Sequence, residues 1–240
     1  MAVITISGKL ASGAIEVGQL VAQKLGFDYV DKQTLMEAAR ALGVSDRAML
    51  DRDDTAPPPP LRDRLIAFFE DFLERSAVAG AADPLMGTGN MEALMATTYR
   101  EAAALPEAGH EFSDARYKEV ITSVVKEVAA RGNVVIIGRG SQAILKDYAD
   151  SLHVCITAPR AVRTHRLAAS DGLPEEKAKE RVEDSDKGRA DFHHKYFKVD
   201  PDSPDLYDLI VNTAGLSEEK VAELIATTLL LKLSRAASPA

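Results

Sequence analysis

Cysteine is almost missing: Cys155 is the only one in 240 residues. A disulfide framework is therefore excluded, and a reducing cytoplasm is the expected location. The thiol lies in the apolar run Leu152-His153-Val154-Cys155-Ile156, where core packing is its expected role. No apolar run reaches the ~18 residues of a membrane span, so no membrane partner is expected. A basic region followed by an apolar stretch does not precede the first strand, so a secretory signal is not expected either. Excess basic charge is lacking as well: the net charge is −8, which speaks against a nucleic-acid partner. His193-His194 has no metal-ligand spacing, and no His/Cys/Asp cluster suggests zinc. No serine or cysteine nucleophile motif and no internal repeat is present.

What charge there is falls unevenly. Residues 160–198 hold ten Lys or Arg against eight Asp or Glu, and the remainder of the chain 19 against 29. A locally basic stretch in an acidic protein suggests an anionic ligand, not an anionic polymer. The length fits a single domain, 1–240, able to bury a proper core.

Apolar, β-branched runs predict five strands: Ile4–Ser7, Phe27–Val30, Val134–Ile137, about Leu152–Ile156, and Leu209–Val211. Helical periodicity separates nearly all of them. It recurs at Val17, Leu20, Val21 and Leu25, over Thr34–Leu42, from Tyr117 to Val128, from Arg160 to about Ser170, and on to Phe197. A last helix follows Ser217. This alternation predicts a parallel sheet with helices on both faces and ligands at the carboxyl ends of the strands. Residues 51–113 read as a helical insertion that begins with Pro57-Pro58-Pro59-Pro60. Its apolar helix at 65–73, carrying Phe68, Phe69 and Phe72, either covers the core or forms a homodimer interface.

The first strand leads into Gly8-Lys9-Leu10-Ala11-Ser12-Gly13-Ala14-Ile15. Strand, Gly-x-x-x-x-Gly, then helix is the frame of a P-loop, which cradles phosphate with backbone N–H groups and a helix N-terminus. In the full motif Lys and then Ser or Thr follow the second glycine, for phosphate charge and Mg²⁺. Here Ala14 and Ile15 stand there. Lys9 is the cation within the loop and the candidate replacement, and Ser12 is its hydroxyl. Lys9 also has a plainer reading, as a solvent-exposed loop lysine, and Ser12 could contact phosphate or a metal.

Three further groups fall at strand ends or on the charged segment. Arg139 stands between Gly138 and Gly140, where the backbone can come close to a ligand and a guanidinium can either fork onto phosphate or salt-bridge across the turn. Asp31 closes strand two, either accepting a ribose hydroxyl or capping the next helix. Asp184-Ser185-Asp186-Lys187-Gly188-Arg189, with Arg181 ahead of it, reads as a mobile lid or as a solvated, salt-bridged helix.

Together these pieces resemble the cytidylate kinase-like family of the nucleoside monophosphate kinase group. The resemblance rests on Ile4–Ser7 with Ser12-Gly13, Leu25–Lys32, Val135–Ser141, Asp186–Ala190, Tyr196-Phe197 and Tyr207–Thr213 with Leu216-Ser217. It implies a three-layer α/β P-loop NTPase fold with a parallel sheet in order 2-3-1-4-5. The insertion 51–113 becomes an NMP-binding region and residues 168–198 a lid. ATP and Mg²⁺ are the implied cofactors, and nucleotides the partners. Gly8, Lys9, Ser12, Gly13 and Ala14 would hold ATP; Asp31 and Arg139 would hold the acceptor. Arg163, Arg166, Arg181, Asp186 and Arg189 would form the lid, with Lys9, Lys187 and Arg189 as charge-stabilising catalytic groups. The expected activity is ATP γ-phosphoryl transfer to CMP, dCMP or a related acceptor. The alternatives are a nucleotide-binding sensor without useful turnover and a P-loop kinase for another small acceptor.

Overall fold

A computed structural model of the chain describes residues 1–32, 34–35, 38 and 114–236. The expected insertion at 51–113 and its apolar helix at 65–73 lie outside the described residues, as does most of Thr34–Leu42.

Val3–Gly8 (β1) is fully buried, and Ala14–Leu25 (α1) follows the loop. Asp28–Val30 (β2) is short and half exposed. Asp114–Arg131 (α2), Val134–Ile137 (β3) and the short Ser141–Ile144 (α3) come next. Ser151–Thr157 (β4) leads into two consecutive helices, Arg160–Asp171 (α4) and Glu175–Phe197 (α5). Leu209–Asn212 (β5) and Glu218–Ala236 (α6) complete the order.

The strands form one parallel sheet in the order β2-β3-β1-β4-β5, as the resemblance implies. Apolar residues alternate between the faces of the central strands. Ile4 and Ile6, with Val135, Ile137, Leu152, Val154 and Ile156, pack under α1 and α6. Val3, Val134 and Ile136 pack under α2, joined by Phe192 and Tyr196 from the end of α5. Two covered faces explain why β1 and β3 read as near-continuous apolar runs.

Strand two is shorter than its sequence suggests. Gly26 ends α1 with φ 64°, and Phe27 N–H turns back to Ala22 O at 2.9 Å. Phe27 therefore belongs to the helix exit. The basic stretch also differs from a solvated helix, because α5 buries Val182, Ser185, Arg189, Phe192, His193 and Tyr196.

Candidate active site

The loop after β1 has the backbone of a phosphate cradle. Gly13 takes φ 82° at the start of α1, and no side chain caps that helix. Its first N–H groups are thus left for an acceptor from outside. Gly8 is required by close approach: a methyl there would run into the Ala14 side chain. Ala14 itself joins the core beneath α1, so its side chain has no part in binding phosphate. Ala11 holds a left-handed φ of 57°, an unfavourable conformation for a residue with a Cβ. Ser12 is buried, its Oγ has no hydrogen-bond partner, and its carbonyl accepts from Thr213 Oγ1 at 2.8 Å.

One strand over, the turn after β3 repeats this economy. Arg139 adopts φ 53° between Gly138 at 75° and Gly140 at 71°. It is 2% exposed, and its Nε and Nη1 have no hydrogen-bond partner. Its guanidinium lies over the Phe192 ring, 5.9 Å from the centroid. Ser141 Oγ, two residues on, is also buried and unpartnered. Buried polar groups left without partners cost about 1–3 kcal/mol each and call for an explanation. Three of them at the ends of two neighbouring strands point to an anionic ligand.

The arginines of α4 and α5 behave differently. Arg163 forks onto Asp186 at 2.9 and 2.7 Å and also donates to Ala158 O and Leu10 O. Arg166 holds Thr213 through Oγ1 and the carbonyl, at 2.9 and 2.8 Å. Arg181 pairs with Asp171 at 2.7 Å. Arg189 reaches Ser7 Oγ at 2.9 Å, Pro201 O at 3.0 Å, the Tyr207 hydroxyl at 3.3 Å and Asp202 at 2.7 Å. Leu10 and Ala11 of the loop pack against Leu167, Ala178 and Val182. The helix pair is therefore fastened onto the loop, and Lys187 is left exposed on its outer side. Asp31 Oδ1 accepts from the Thr34 N–H and hydroxyl, both at 2.8 Å, which is the capping arrangement.

Lys9 donates to Asp202 at 2.7 Å. Burial works to raise the Asp202 pKa, but Lys9 and Arg189 outweigh it and hold the carboxyl below its ordinary value. Burial pushes the Tyr207 hydroxyl up to about 12, so it stays protonated and donates to Pro201 O at 2.7 Å. Asp202, Ser7 and Tyr207 were not candidates from sequence. Ser7 and Tyr207 lie in the segments that carry the resemblance, and the signal for Asp202 is the Asp200-Pro201-Asp202-Ser203-Pro204 turn just ahead of β5. Among the described residues no cluster of three or more His, Cys, Asp or Glu offers a metal site.

The family model of the cytidylate kinase-like family matches residues 3–215. The chain belongs to that family. Curated relatives include the cytidylate kinases of Ignicoccus hospitalis, 36% identical over 46% of this chain and 63% of that protein, and of Methanopyrus kandleri, 27% identical over 42% and 56%. The matched segments thus span less than two thirds of those relatives. A solved structure from Eubacterium ventriosum, of an uncharacterized protein, covers 96% of this chain and 98% of its own at 16% identity, with a TM-score of 0.61, and shares the fold. Among the described residues no helix is long and apolar enough to cross a membrane.

Proposed function

We propose that the chain is a nucleoside monophosphate kinase-like phosphotransferase, moving the γ-phosphoryl of ATP to CMP, dCMP or a related acceptor. The observation that carries this reading is Arg139: a strained, buried guanidinium with unpartnered nitrogens at the carboxyl end of β3. Such a conformation persists only where the surrounding structure enforces it, and such positions cluster at ligand sites; a monophosphate would complete the hydrogen bonds of Arg139. The uncapped α1 and the loop N–H groups suit the phosphate chain of ATP. Lys9 and Arg189 would supply positive charge, and Asp31 would sit beside the acceptor at the end of β2. Transfer is then a matter of positioning and electrostatics, with no covalent intermediate on the protein.

Magnesium fits less well. Ile15 stands where the motif has its metal-binding hydroxyl, and the Ser12 hydroxyl is buried. Mg²⁺ would then come as the counter-ion of ATP, without a loop hydroxyl to hold it.

A second reading, a nucleotide-binding module without useful turnover, is favoured by two observations. The lid arginines Arg163, Arg166 and Arg181 are each already paired within the protein. A methyl at Gly13 would also sit only 3.5 Å from Glu218 Oε1, which puts an acid beside the loop. Phosphate transfer from ATP with Mg²⁺ to CMP, dCMP, UMP and AMP separates the readings. Turnover of one acceptor at substoichiometric enzyme supports the phosphotransferase; nucleotide binding without turnover, even at high enzyme, supports the module.

A further inference from the structure

Ser7 and Lys9 bracket Gly8, the first glycine of the loop, and both are tied to Arg189. Ser7 is tied directly, accepting from Nη2 at 2.9 Å. Lys9 is tied through Asp202, whose Oδ2 takes the ammonium and whose Oδ1 takes Arg189 Nη1, each at 2.7 Å. The result is a closed ring around one corner of the loop, with two cations and one carboxylate.

The members of this ring differ in freedom. Arg189 is 2% exposed and is held by three acceptors besides Asp202, so it is a fixed point. Lys9 has a flexible four-carbon stem, and an ammonium beside a guanidinium would swing away from it. Asp202 prevents that by standing between them. Its own place is set by a turn in which Asp202 N–H donates to Asp200 Oδ1 at 2.9 Å and Ser203 N–H to Asp200 O at 3.1 Å. The ring keeps a net charge of +1 beside Gly8, where the motif has no cation of its own.

We propose that Asp202 is a positioning residue for phosphate binding, holding the Lys9 ammonium beside Arg189 so that Lys9 replaces the lysine missing after Gly13. This rests on the phosphotransferase reading. It assigns a role to an acid that is remote in sequence and in no motif.

The test uses the full chain and two probes, ATP with Mg²⁺ and inorganic tripolyphosphate, with affinity read by calorimetry. Asp202→Asn and Lys9→Ala are each expected to weaken both probes about tenfold, the scale of one charge-assisted hydrogen bond. The double variant should be no weaker than the weaker single one, and Asp202→Glu should recover much of the loss. The Asp202 side chain is 51% exposed, so these variants are expected to fold, which circular dichroism checks. A probe-independent measurement is acetylation of Lys9 by acetic anhydride, followed by mass spectrometry. It should run several-fold faster in Asp202→Asn.

Unchanged affinity in Asp202→Asn, tighter binding, multiplying losses in the double variant, or unchanged labelling of Lys9 each overturns the role. Tighter binding would make the carboxylate a competitor of phosphate instead. If the wild-type chain binds neither probe, the phosphotransferase reading falls and takes this role with it. Wild-type binding with an indifferent Asp202→Asn removes the role of Asp202 alone.

Discussion

Asp186 receives both terminal nitrogens of Arg163, at 2.9 and 2.7 Å, across the gap between α5 and α4. The carboxylate is partly open to solvent and the guanidinium is buried. This pair is thus a staple between the two helices, and through Leu10 O it also holds the loop. Asp186→Asn would leave the buried guanidinium without its counter-charge, at a cost of about 3 kcal/mol. The urea midpoint should fall accordingly, and pairing the change with Arg163→Met should recover at least half. If Asp186→Asn leaves the midpoint in place, the pair is not a staple.

Arg139 carries the opposite expectation. Its Nε and Nη1 bind nothing within the protein, and its φ of 53° suits glycine better. Arg139→Gly removes a buried charge and relieves about 1 kcal/mol of backbone cost. The melting temperature should hold or rise by a few degrees. Phosphate transfer should drop by about 10²–10³, as for other lost electrostatic contacts. A variant that melts lower yet transfers normally would show Arg139 to be structural.

The two arginines mark how far the residue pattern reaches. The sheet was legible because β1 and β3 are buried on both faces and leave continuous β-branched runs. Arg139 was legible because glycines flank it. The fate of Arg163 and Arg189 was not. Helical spacing tells which residues share a face of α5, but not which element that face meets. The Lys9–Asp202 contact spans 193 positions, beyond any local pattern. Asp31 falls between these cases: both of its readings were open, and the Thr34 hydrogen bonds show the cap.

His193 predicts a pH dependence of stability. Burial, the largest influence, lowers its pKa from 6.5 to about 4. Its Nδ1–H donates to Arg189 O at 2.8 Å, and Nε2 faces the Gln142 amide at 3.0 Å. A proton on Nε2 would meet another donor there. Between pH 6.5 and 4 the unfolded chain takes up this proton and the folded chain does not. Stability therefore falls as pH drops through that window, by about 3 kcal/mol in total. Urea unfolding of His193→Phe at pH 7 and 4.5 should show a smaller difference than wild type; an equal difference would place the effect elsewhere.

Gly140 meets the ring of Phe197 at the end of α5, where any added Cβ would collide with it. Gly140→Ala should cost about 2–4 kcal/mol, from the collision and from its φ of 71°. Adding Phe197→Ala should remove the collision alone, leaving about 1 kcal/mol of backbone cost relative to Phe197→Ala by itself. Thermal unfolding of the three variants checks the split. Full additivity of the two changes would mean that the ring does not limit this position.

Strand β1 is made first and sits in the middle of the sheet, between β3 and β4. Thr5 and its partner His153, 2.7 Å apart, are separated by 148 positions. At ~5–20 residues per second of synthesis, the opening strand waits roughly 7–30 s before its second neighbour exists. Until then Ile4 and Ile6 lack the β4 residues Leu152, Val154 and Ile156 that share their side of the sheet. The order in which the strands are made therefore runs against their order in the sheet, and the central strand depends on neighbours that the chain supplies late.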